Sequence, residues 1–367
     1  MVADYAQAQY GLGWSYFKLK EYDKALLPLK IAVKIEPKMV AAHFTLGKVW
    51  AMLDKHKSAI DEYENTLAIA PISPDVHFHL GQSYTNLNMY NEAVKAYHDT
   101  LRLSPNYFEA YIGIGKAYIN SGKNNEAIPP LRNAIGINPF SLEAYNDLGL
   151  AYGNIGDHDK ALVSYLEVAR IDFRNPTAHY KVGVAYTKTD KKREAIKNFE
   201  EAIRLNESFP EAYFNIAWLY QELGEADKAL ASYTQTIKYD PDNLKAFFNS
   251  AEIHESFRRY QEAVEALLET TRIKPGHVEA HARLGRNYAK LNLPEKALAE
   301  FNIALQINPN LAQTYYELGN IYGELKRHKE GLRPLRKAIQ LEPRFIKALY
   351  LPVSYTHLRA HETRHDL

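Results

Sequence analysis

Pro37, Pro71, Pro105 and Pro139 stand 34 residues apart. The same step leads to Phe173, Glu207, Pro241, Pro275, Pro309 and Pro343, ten positions without an insertion. A fixed period of this length makes the chain an array of similar units, each burying its apolar face against its neighbours. Other columns keep the step. One is aromatic: Tyr16, Trp50, Tyr84, Tyr118, Tyr152, Tyr186, Tyr220, His254, Tyr288 and Tyr322. One is small: Ala25, Ala59, Ala93, Ala127, Ala161, Ala195, Ala229, Ala263, Ala297 and Gly331. A third is nearly all glycine, from Gly13 and Gly47 to Gly285 and Gly319, with Ala217 and Ala251 as exceptions. The aromatic column accounts for much of an unusual count of 27 Tyr beside 4 Met.

Within a unit, apolar or small residues recur at steps of three and four, the signature of an amphipathic helix. In "SLEAYNDLGLAYGNIGDHDKALVSYLEVARID" the pattern breaks at Asn154-Ile155-Gly156-Asp157 and resumes from about Asp159 to Ile171. This predicts two helices per unit joined by a tight turn. Gly149 and Ala161 let them approach, and Leu148, Tyr152 and Tyr165 fill space between units. Proline closes each second helix, since it cannot continue one. Where the column holds Phe173 and Glu207, Pro176 and Pro210 follow three residues later, suited to the first turn of the next helix. Pro28, Pro130 and Pro334 fall inside second helices. Interior proline costs roughly 3 kcal/mol, so bends or frayed starts are expected there.

The spacing of Leu-Gly, Tyr, Ala, Tyr or Phe, Ala and Pro resembles the tetratricopeptide repeat, over residues 6 to 345. The units run 6–39, 40–73, 74–107, 108–141, 142–175, 176–209, 210–243, 244–277, 278–311 and 312–345. The resemblance implies an all-α fold, a right-handed superhelical α-solenoid of antiparallel helix pairs. Its concave face would be lined by the first helix of each unit. The eighth unit departs most, with Ser250-Ala251 for Leu-Gly and His254 for Tyr, the latter expected as a buried, hydrogen-bonded histidine.

The ends differ from the array. Ala3-Asp4-Tyr5 is in frame with Pro105-Asn106-Tyr107, so residues 1–5 read as the end of a further repeat. "RFIKALYL" opens an eleventh repeat over 346–351, and Pro352-Val353 break it. The tail 352–367, "PVSYTHLRAHETRHDL", resembles the translation of sequencing-adaptor DNA, which would make the chain a fragment of a gene running on past Leu351. His357, His361 and His365 fall four apart, a helical metal-site spacing, but they lie past the point where the frame is lost and are not taken as a site.

Little else points to chemistry. There is no phosphate-binding loop, dinucleotide fingerprint, HExxH or GxSxG, so no enzyme activity, cofactor or metal is expected. A net charge of +1 argues against a nucleic-acid partner. With no cysteine there are no disulfides. No apolar run spans a membrane, and "MVADYAQAQY" is not a secretory signal, leaving a cytoplasmic location as the expectation.

What remains is the surface the repeat leaves free. Positions two, five, nine and twelve of each unit form a stripe that the resemblance places on the concave face. Two aromatic groups stand out on it. One is Tyr10, Trp14, Phe17 and Phe44; the other is Phe214, Trp218 and Phe248, bordered by Glu211, Glu222, Glu252 and Glu255. Aromatics beside charges have the composition of peptide-binding hot spots. The favoured reading is a non-catalytic scaffold for peptide or protein segments. The competing readings are the repeat arm of a larger enzyme, as in a glycosyltransferase, and a helical-repeat RNA binder. The Lys-then-Asn pattern of carboxylate-clamp relatives is not seen, and a sixth-position asparagine ladder is reduced to Asp147, Asn215 and Asn249.

Overall fold

The computed structural model of the chain describes residues 2–344. Its contacts divide it into two compact units, 1–198 and 199–367. The first contains α1 (Val2–Lys18), α2 (Tyr22–Ile35), α3 (Val40–Met52), α4 (His56–Ile69), α5 (Pro74–Asn86), α6 (Tyr90–Leu103), α7 (Phe108–Asn120), α8 (Asn124–Ile137), α9 (Leu142–Asn154), α10 (His158–Ile171) and α11 (Pro176–Lys188). Helix α12 (Lys192–Leu205) contains the boundary. The second unit continues with α13 (Pro210–Glu222), α14 (Ala226–Tyr239), α15 (Leu244–Ser256), α16 (Tyr260–Ile273), α17 (Val278–Lys290), α18 (Pro294–Ile307), α19 (Ala312–Glu324) and α20 (His328–Leu341). The fold is all-α; within each unit, paired helices such as α1–α2 and α13–α14 pack side by side and successive pairs pack on one another, as α2 does on α3 and α14 on α15. The eleventh-repeat opening and the histidine-bearing tail lie outside the described residues.

Each repeat turns at one backbone position, the fifteenth. Lys20, Asp54, Asn88, Gly122, Gly156, Asp190, Gly224, Arg258, Asn292 and Lys326 all have positive φ, between 56° and 83°. One left-handed residue ends the first helix, and the N–H that follows it bonds a carbonyl five residues back, as in Lys55 to Trp50 at 2.9 Å and Arg327 to Tyr322 at 2.8 Å. That bond is the signature of a Schellman cap, which satisfies carbonyls the helix end would otherwise leave open. Glycine takes this conformation freely, whereas lysine and arginine take it against the clash of Cβ with the following carbonyl.

Burial explains the columns. The glycine of a first helix lies against the large twenty-fourth residue of the same repeat. A Cβ built on Gly47 would meet Tyr63 at 2.5 Å, and one on Gly285 would meet Phe301 at the same distance. Tyr63, Phe301, Leu29, Leu131 and Leu335 are thereby among the most buried side chains, and Tyr233 and Leu267 are equally buried in the repeats where Ala217 and Ala251 replace the glycine. Tyr165 is expected between repeats, but its ring lies first over Gly149 within its own repeat, 2.7 Å from a built Cβ. It also reaches the apolar group around Val182 of the next repeat.

Two further features differ from expectation. Helices α2, α8 and α20 run unbroken through Pro28, Pro130 and Pro334, and their starts are not frayed. Pro28 and Pro334 are buried against the stack, so apolar burial offsets the hydrogen bond that proline cannot make. His254 is not hydrogen-bonded through Nδ1, which is buried without a partner among the described residues. Burial holds its imidazole below the ordinary histidine range.

Candidate functional site

First helices line up beside one another. In the first unit α1 touches α3, α3 touches α5, α5 touches α7 and α7 touches α9, with no comparable contact between second helices among the described residues. Rows that touch on one side only curve toward that side. This places α1, α3, α5, α7 and α9 on the inner face of the first unit.

In the first unit Trp14 is exposed, with Lys18 Nζ 5.1 Å from its ring centre. Tyr10 and Phe17 are half-buried against the apolar groups around Leu29, Leu46 and Val49. Phe44 packs on the group around Ile60 and Tyr63, 6.0 Å from the Tyr63 ring and 5.5 Å from His79. Trp14 is therefore the freely exposed member of this group, while the others serve packing and surface together.

In the second unit Trp218 is 37% exposed on α13. Phe214 on the same helix is half-buried against Tyr233, ring centres 5.8 Å apart. Phe248 on α15 lies 4.9 Å from the His277 ring. Glu211, Glu222 and Glu252 are exposed, and Glu252 accepts from Gln221 Nε2 at 3.2 Å. Gln221 is itself held by the Tyr233 hydroxyl at 2.9 Å, and that hydroxyl accepts from Asn249 at 3.0 Å. These links couple the α13 and α15 surfaces.

Glu255 is different from the other three carboxylates. Arg283 on α17 donates from Nε to both of its oxygens, at 3.1 and 3.2 Å. Arg283 Nη2 approaches at 2.9 Å without the alignment of a hydrogen bond. Asn287 Nδ2 adds a bond at 2.5 Å. The Arg283 guanidinium also lies 4.4 Å from the Phe248 ring centre. A carboxylate expected to border the surface is thus paired within the protein, because the ninth repeat supplies a cation at its sixth position. Arg283 stands in the same sixth-position column as Asp147, Asn215 and Asn249.

The sixth column carries other half-buried charge. Asp147 Oδ2 is buried without a partner among the described residues, and burial pushes its carboxyl up to about 6 against the pull of Lys116. Lys181 donates to Asn146 at 2.8 Å, and burial lowers its ammonium. Glu317 lies 3.7 Å from Arg286 and is also pushed up by burial. None of these assembles into a catalytic constellation, and no group of three or more His, Asp or Glu among the described residues is arranged to hold a metal. Among the described residues no helix is long and apolar enough to cross a membrane.

Comparison with known families places these repeats. Tetratricopeptide repeat profiles match residues 10–76 and 214–278, 81–122 and 193–224, and 108–141, 142–175, 278–311 and 312–345. The chain belongs to the tetratricopeptide repeat family. Four of those matches coincide with unit boundaries read from the proline step. No curated protein matches the chain in sequence. Among solved structures, a tetratricopeptide repeat protein from Parabacteroides merdae is 17% identical with a TM-score of 0.50, over 64% of this chain and 93% of that one. Pseudomonas aeruginosa PilF is 18% identical with a TM-score of 0.47, over 61% and 98%. YrrB, described as a TPR protein with an unusual peptide-binding site, is 20% identical with a TM-score of 0.44, over 50% and 95%. At 17% identity the likeness to the Parabacteroides merdae protein is one of fold.

Proposed function

We propose that this tetratricopeptide repeat chain is a non-catalytic scaffold that holds peptide or protein segments against its first helices. The observation that carries this reading is Trp218, a large aromatic ring left 37% exposed on a first helix. Half-buried Phe214 and Phe248 lie in the same stripe, and Glu211, Glu222 and Glu252 border it with exposed carboxylates. Exposed tryptophan on a rigid surface is an economical anchor, because it buries a large area while losing little rotamer freedom. The bordering carboxylates favour a segment with an apolar anchor and a Lys or Arg nearby. Glu255 is left out of the recognition set, since Arg283 already neutralises it.

The test is selection of peptides from a displayed library by the wild-type chain and by Trp218→Ala. The expected outcome is enrichment of segments pairing an apolar residue with Lys or Arg. The variant should lose about 1 to 3 kcal/mol of affinity, the range for a tryptophan anchor. Identical selections by the two proteins would sink the reading.

A further inference from the structure

A cleft of about 630 Å³ opens between α3 and α5 of the first unit, with Tyr63 of α4 and Tyr97 of α6 contributing to its lining. This volume is within the range of ligand pockets. Two hydroxyls on its lining are orphaned. Tyr63 Oη and Ser83 Oγ are buried and have no hydrogen-bond partner among the described residues, their residues being 0% and 1% exposed. Buried polar groups normally find partners, so a pair of orphans on one cleft calls for an explanation.

Lys48 stands on the same lining. It is half-buried. Its Nζ lies 4.3 Å from the Phe44 ring centre and 5.3 Å from that of Phe17. Among the described residues it makes no ion pair or hydrogen bond. Burial, with the neighbouring Lys18 charge, lowers its ammonium below the ordinary lysine range, against a smaller pull from Asp75. Asp75 itself accepts from the Tyr107 hydroxyl at 2.9 Å. The one carboxylate lining the cleft, Asp54, is almost fully solvent-exposed and lies 3.2 Å from His56 Nε2. Burial lowers the His79 imidazole, so that ring adds no second cation at neutral pH.

A half-buried ammonium facing aromatic rings has given up water without gaining an anion. A carboxylate supplies what is missing at Lys48, since its oxygens accept from an ammonium. Phe17 and the ring of Tyr97 offer apolar wall beside it. We propose that this cleft binds the carboxylate of a partner peptide, an Asp or Glu side chain next to an apolar residue, with Lys48 as its counter-charge. The proposal rests on the reading of first helices as a peptide-binding face. It uses different residues from the Trp218 group and predicts the opposite ligand charge.

The test is fluorescence-polarisation binding of short labelled peptide pools to the full chain. One pool fixes Glu beside Leu or Phe, its match carries Gln instead, and both are made with free and with amidated C-termini. We expect the amidated Glu pool to bind about tenfold more tightly than the amidated Gln pool, the effect of one charge-assisted hydrogen bond. The preference should weaken as salt is raised. Lys48→Met should erase the preference and Lys48→Arg should keep part of it, with unchanged helical circular dichroism confirming the fold. Equal binding of Glu and Gln pools would overturn the carboxylate inference while leaving the scaffold reading standing. A preference that follows the free C-terminus, whichever side chain is present, would overturn the side-chain assignment. Failure of every pool to bind would overturn the carboxylate inference, while the scaffold reading is decided by the Lys- or Arg-bearing segments selected above.

Discussion

The Glu255–Arg283 pair distinguishes a surface carboxylate from a structural one, and substitution can measure the difference. The Arg283 side chain is 7% exposed and that of Glu255 28%. Removing one partner of a fully buried pair costs about 3 to 5 kcal/mol, because an uncompensated charge is left behind. Water still reaches Glu255, so Glu255→Gln should cost less, about 2 to 3 kcal/mol. Arg283→Met should cost about 1 to 2 kcal/mol, since the carboxylate it leaves can hydrate while the loss of the guanidinium over Phe248 removes roughly 0.5 to 1 kcal/mol. The double variant removes both charges, so it should be less destabilised than the sum of the singles by about 1.5 kcal/mol. Repeat arrays open locally rather than as one body, so the assay is amide hydrogen exchange over α15 and α17. Glu255→Gln should speed protected exchange there by about 30- to 150-fold, the equivalent of 2 to 3 kcal/mol. Additive effects, or a cost below about 0.5 kcal/mol for Glu255→Gln, would refute the structural role. A changed peptide selection by that variant would return Glu255 to the binding surface.

Other outcomes can be checked on the same protein. Arg258→Gly and Lys326→Gly replace left-handed residues whose φ values are 58° and 59°. Each should raise the denaturation midpoint, by about 1 kcal/mol at most, because relief of the Cβ clash outweighs added freedom in the unfolded chain. A lowered midpoint would show that the turn is not strained. Asp147, pushed up to about 6 by burial, binds its proton more tightly in the folded chain than in the unfolded one. Its contribution to stability is therefore full below about pH 4 and is lost as pH rises toward 6 and above. Asp147→Asn should flatten that part of the stability–pH profile and raise the melting temperature at neutral pH; an unchanged profile would count against the buried, partnerless carboxyl.

Much of this architecture is legible in the sequence because a repeat states its rules many times. The proline step sets the unit boundaries, and four family matches fall on them. The turn at Asn154-Ile155-Gly156-Asp157 is readable from Gly156, whose φ is 83°. The same turn at Arg258 or Lys326 is readable only from the period, since neither residue favours that conformation. The proline warnings at Pro28 and Pro334 were local propensity, and burial against the stack overrode them.

The candidate surface divides along the same line. Helical spacing alone put Trp14, Trp218, Glu211, Glu252 and Glu255 on one stripe. It could not say which of them are spoken for, because a charge is cancelled by a neighbour on another helix. Arg283 reaches Glu255 from a residue 28 positions later. Lys48, by contrast, is left facing the Phe17 and Phe44 rings. The sequence by itself determined the period, the helix pairs and the face that carries aromatics. Only the tertiary structure decided which charges on that face are paired and which hydroxyls are orphaned, because pairing depends on side-chain distances between repeats, whereas periodicity records only positions within one.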